Sequence, residues 1–81
     1  MSPAPTVVHE ATAARGLCLY LGGELALQIT DASDLIRLGI EAAMGQLMIP
    51  AYPAPFAYTA NQAHLLAIAS DALALAAGRI A

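Results

Sequence analysis

Lysine is absent from this chain of 81 residues, and cysteine occurs once, as Cys18. A lone cysteine excludes an internal disulfide and fits a reducing compartment. No group of cysteine and histidine has the spacing of a zinc site. With Arg15, Arg37 and Arg79 as the only basic side chains besides histidine, and a formal net charge of -3, there is no basic stripe. Nucleic acid is therefore not an expected partner. Charge of either sign is sparse, at 11% of residues, against about 25% in ordinary domains. Long apolar runs are also missing: no stretch of about 20 residues is free of both charge and proline, as a membrane-spanning helix requires. Residues 63–80 come nearest, and His64 and Asp71 interrupt them. The opening residues, MSPAPTVVHEATAARG, lack the basic region and apolar core of a signal peptide. The expected location is the cytoplasm, with no membrane contact.

The usual signatures of catalysis are equally scarce. Gly22-Gly23 is followed by no Lys-Ser/Thr pair and is too short for a dinucleotide fingerprint. No two carboxylates share a context that would perturb one of them. Cys18 with His9 or His64 would pair a nucleophile with a base. Cys18 lies in an apolar run, however, where a buried and inert thiol is the default. His64 and Asp71 stand two turns apart on one helix, about 10 Å along its axis, too far to share a metal or a proton within that helix. Their expected role is a solvated polar stripe, or a contact across a dimer. The sequence thus predicts no enzyme, and no catalytic, cofactor-binding or metal-binding residue.

What the chain does have is apolar surface. Hydrophobic residues make up 59%, with twenty alanines and twelve leucines. A single domain of residues 1–81 buries a modest core, and small domains commonly supplement theirs with disulfides, a metal or a partner subunit. With the first two unsupported, a homo-oligomer is expected, a dimer first. Residues 1–16 read as loose, with at most a weak strand beginning at Val7 and Val8. Residues 17–21, bounded by glycines, read as a strand. Leu25, Ile29, Ala32, Ile36, Ile40, Ala43 and Leu47 are spaced as one helical stripe, which predicts a helix over 24–48 that Pro50 ends. The alternative is a hairpin turn at Gly22-Gly23 with Glu24 to Ile29 as the return strand. Thr59 and Gln62 form a capping box that opens a second helix over 59–78, closed by Gly78. The fold class expected is mainly α: a short strand, then an antiparallel helical hairpin, dimerised into a four-helix core. A small α+β unit with an N-terminal hairpin or meander and two helices is the alternative.

Leu17, Leu19, Gly22, Ala32, Ser33, Leu35, Ala63, His64, Leu66 and Ala72 together form a pattern. It resembles a family of short uncharacterised bacterial proteins: a lead strand, a glycine, a helix with an Ala-Ser-acid-Leu motif, and an alanine-rich second helix. The resemblance covers about residues 17–78; the proline- and aromatic-rich segment departs from it. It implies a fold with the long first helix and carries no activity with it.

That departing segment, 49–58, holds Pro50, Pro53 and Pro55 and three of the four aromatics, Tyr52, Phe56 and Tyr58. Prolines favour an extended path that is cheap to order, and the rings supply contact area. The polar stripe of Asp34, Arg37 and Glu41 runs on into Met44 and Met48, which fill core gaps or extend an adaptable binding patch. The expected function is therefore binding of another protein, as an adaptor, regulator or inhibitor, with mobile-element origin fitting the size. Tyr52, Phe56, Tyr58, Met44 and Met48 are the candidate contacts. The alternative is a small-molecule binder with a pocket at the subunit interface, where Arg15, Arg37 and Arg79 would contact an anion.

Overall fold

A computed structural model describes residues 5–49 and 60–81. The chain is α+β. Strands β1 (Val7–Thr12), β2 (Gly16–Leu21) and β3 (Glu24–Ile29) form an antiparallel meander in that order, followed by helices α1 (Ala32–Ala43) and α2 (Gln62–Ala76). This overturns the mainly helical fold with its single lead strand. Residues 7–12, where at most a weak strand from Val7 was expected, pair with β2 along their whole length. Residues 24–29, expected to begin a long helix, are the third strand.

The reason lies in the turn. Gly22 and Gly23 adopt φ of 59° and 81°, as the two central residues of a type I′ turn must, and that turn matches the twist of the flanking strands. The apparent helical stripe from Leu25 was misleading for a second reason. Leu19 pairs with Leu27 but Tyr20 pairs with Leu25, so β3 holds one extra residue, Ala26, at a bulge. Leu27 and Ile29 therefore pack against the core while Leu25 turns outward. Helix α1 starts only after Asp31, whose side chain accepts from the Asp34 N–H at 3.1 Å.

Both helices end the same way. Gly45 and Gly78 each have φ of 73°. Gln46 N–H donates to Glu41 O and Gly45 N–H to Ala42 O; Arg79 N–H donates to Ala74 O and Gly78 N–H to Leu75 O. Each is the paired closure of a Schellman motif. Gly45, rather than Pro50, ends the first helix. The second helix is capped by Asn61, which accepts from the His64 N–H at 2.8 Å. Thr59 lies outside the described residues.

One apolar cluster joins these elements. Val7, Leu17, Leu19 and Leu21 from the sheet meet Leu35, Leu38 and Ala42 of α1, Ile68, Ala69 and Ala72 of α2, and Leu47 and Ile49 beyond α1. Helix α2 lies over β1 and β2 and runs beside α1. At the crossing, a Cβ on Gly39 would stand 3.0 Å from Leu73 Cγ and 3.3 Å from Ala69 O. Glycine on one helix and alanine on the other let the backbones approach closely. Among the described residues, no helix is long and apolar enough to cross a membrane.

Candidate functional site

Strand alternation places Val7, His9 and Ala11 on the inner face of the sheet, opposite Leu21, Leu19 and Leu17. Because α2 crosses that face, His9 points at the helix. His9 Nε2 donates to Asp71 Oδ2 at 2.7 Å, and His9 Nδ1 stands 3.4 Å from His64 Nε2. The imidazole centroids are 5.5 Å apart, with planes inclined at 41°. His9 is the most sheltered of the ion pair, with 16% of its side chain exposed against 42% for Asp71. His64 and Asp71 are therefore not a solvated stripe. They are two turns apart, and a residue 55 positions before His64 fills the space between them. His9 escaped the sequence reading as their partner because residues 1–16 read as loose; placing β1 and its alternation would have found it. Among the described residues, no group of three histidine, cysteine or acidic side chains is arranged to hold a metal ion.

Cys18 is fully buried, and the register sets it opposite Glu10, on the sheet face away from His9. The structure does not bring Cys18 to either histidine. Over the thiol lies a polar network. Arg15 Nη1 donates to Tyr20 Oη at 3.0 Å and to Glu10 Oε1 at 3.4 Å, and Gln28 Nε2 donates to Arg15 O at 2.9 Å. The hydrogen bond that Arg15 donates to Tyr20, then the electrostatic interactions with Tyr20, Cys18 and Glu10, raise the Arg15 pKa from its ordinary value against a small cost of burial. Arg15 thus stays charged throughout the accessible pH range.

The other residues singled out in the sequence are dispersed. Arg37 pairs with Asp34 at 3.2 Å and, with Glu41 and Met48, borders an open groove of about 410 Å³ beside β3. Met44 is 62% exposed and borders a different cleft, where the end of α1 meets Gln62 and Leu65. Arg79 lies beyond α2, in its closing motif. Arg15 and Arg37 are each engaged by a separate carboxylate. Tyr52, Phe56 and Tyr58 lie outside the described residues.

A further feature is the outer face of the helices. The exposed positions of α2 are Gln62, Ala63, Leu66, Ala67, Ser70 and Leu73, and none carries a charge. Beside them α1 exposes Ile36 and Ile40, the latter 51% accessible. The one charged pair exposed on α1, Asp34 and Arg37, stands on the flank toward β3. The sequence shows this face only as an excess of leucine and alanine; the helix boundaries are needed to see that its uncharged positions are contiguous.

No protein-family model, curated protein or solved structure matches this chain. The resemblance to short bacterial proteins rests on its motifs alone.

Proposed function

We propose that this is a non-enzymatic protein of the cytoplasm that works by binding protein, and that its first partner is a second copy of itself. The observation that carries this reading is the uncharged outer face of α2 with Ile36 and Ile40 beside it. A helix facing water ordinarily carries charge on its outer side. Contiguous exposed apolar surface marks an interaction site. A second copy is the occupant favoured here because an uncharged face meets its own image without burying an unpaired ion, and a two-fold axis repeats every contact. Two copies would then stack helices inward with their sheets outermost. A standard interface takes about 800 Å² from each partner, about a sixth of the 5025 Å² that the chain exposes. The Met48 groove lies off this face, and the Met44 cleft meets it only at Gln62; both remain for a further protein, with no role for nucleic acid.

The test is absolute mass by light scattering after size exclusion, over a wide concentration range. A dimer that resists dilution is expected, together with a folded monomer for Ile40→Glu combined with Leu66→Glu. A wild-type chain that is monomeric at every concentration would sink the proposal. The groove beside β3 supports a second reading, a small-molecule binder, because it combines Leu27 and Leu38 with Gln28 and Arg37. Native mass spectrometry showing no carried ligand would remove it.

A further inference from the structure

We infer that the free edge of β3 and the groove beside it receive an extended segment of another protein, which adds to the sheet as a fourth strand. That segment carries a basic side chain two residues from an apolar one, so that both lie on one face. The groove, of about 410 Å³, is bordered on one side by Leu27, Gln28 and Ile29. Successive side chains of a strand point to opposite faces, so three consecutive residues share a groove only along the strand's edge. β3 is the last strand of the sheet, and its outer edge pairs with no strand among the described residues. The other wall is one face of α1, where Asp34, Arg37, Leu38 and Glu41 recur at helical spacing. An unpaired edge beside a groove is how sheets recruit peptides: main-chain hydrogen bonds supply affinity and alternate side chains supply selectivity. The bulge at Ala26 interrupts regular pairing just before this stretch. The part of β3 left for a partner is the part that the groove flanks.

Charge selects the occupant. Arg37 is taken up by Asp34 at 3.2 Å. Glu41 is only partly exposed and has no ion pair among the described residues. It also borders a second open cleft, with Gly45, Gln46, Leu47 and Met48, so its carboxylate stands where the two openings meet. Met48, 58% exposed, is common to both and offers an adaptable apolar contact. A lysine or arginine can lay its stem along Leu38 and Met48 and bring its charged head to Glu41. An apolar side chain two residues away then lies on the same face, beside Leu27 and Ile29. A second copy is not this occupant: its edge strands, β1 and β3, carry Glu10 and Glu24 and neither lysine nor arginine. The inference rests on reading the chain as a protein that binds protein, and not on the pairing of two copies through α2.

The experiment is an NMR titration of the nitrogen-15-labelled full chain with synthetic peptides of the form Thr-Val-Thr-Arg-Thr-Val-Thr. The panel has valine, leucine or isoleucine at the apolar places and arginine or lysine at the basic one. Saturable shifts of the Leu27, Gln28 and Ile29 amides are expected, and a glutamate at the basic place should abolish them. Glu41→Gln should weaken binding about tenfold, the loss of one charge-assisted contact. Glu41→Lys should favour the glutamate peptide instead, with circular dichroism confirming that both variants fold. N-methylation of one of the two alternate sets of peptide amides should prevent binding, since alternate residues bond toward the same neighbour. A chain carrying Ile40→Glu with Leu66→Glu should bind the peptide as the wild type does, so that loss of self-pairing and loss of this site are read separately. No saturable binding by any peptide up to about 1 mM would overturn the proposal. So would equal binding of the glutamate peptide, full affinity in a folded Glu41→Gln, indifference to both methylations, or shifts confined to the outer face of α2.

Discussion

Glycine is used in this chain for two different physical reasons, and substitution separates them. Gly16 has φ of 75°, and a Cβ there would lie 2.2 Å from the backbone oxygen of Ile29. Left-handed backbone costs an L-residue about 1–2 kcal/mol, and the clash is with a strand that cannot swing aside. Gly16→Ala should therefore lose at least about 2 kcal/mol in urea unfolding. Gly22 has φ of 59° with open space around it. Gly22→Asn should stay near wild type in the same measurement, because asparagine tolerates this turn position. Gly39 is of the other kind. Its backbone needs no special conformation, but Leu73 and Ala69 lie where its side chain would be. Gly39→Val should separate the helices and lower the melting temperature, with a loss of about 1–3 kcal/mol typical of overpacking.

At the scale of elements, the helix starts are single side chains acting on single amides. Asp31→Ala and Asn61→Ala should each cost about 1 kcal/mol, read as a fall in the urea midpoint with an unchanged slope. These caps also measure what the sequence made legible. The glycine-bounded run that forms β2 and the alanine-rich helix closing at Gly78 stand out locally, since each is bounded by residues with one dominant use. Strand β3 did not, because Leu25 and Ile29 fit a period of four by coincidence and the bulge at Ala26 hides the alternation of two. The series Asp31-Ala32-Ser33-Asp34 carries a start signal that places the helix boundary correctly, and Gly45 carries the matching stop. An unbroken apolar stripe runs across both signals and masks them. Strand β1 was obscure for a different reason: its outward residues include Val8, so burial does not sort its faces by polarity. The His9 cluster inherits that obscurity, because contact across 55 and 62 residues follows from topology and not from spacing.

For the whole molecule, the proposed pairing through the uncharged face of α2 would make stability and assembly separable. Ala67→Arg or Ser70→Glu places a charge at an exposed position and should abolish the concentration dependence of the melting temperature while leaving the diluted chain as stable as before. Ala69→Trp should instead unfold the chain at any concentration, since Ala69 is buried within one copy. The pairing of β1 with α2 has a further consequence, for the order of folding. The meander is built from neighbouring segments joined by two short turns, so its loop closures are small. Helix α2 must return across nearly the whole chain to reach β1, and that closure comes with the largest entropic cost. The two hairpins should form early, and α2 should dock only after the transition state. Truncating Ile68 to valine would then mainly speed unfolding, whereas Leu19 to alanine would slow folding itself. The last-docked helix is also the one that carries the uncharged face, so a chain paused before docking would expose apolar surface on both sides of α2 at once.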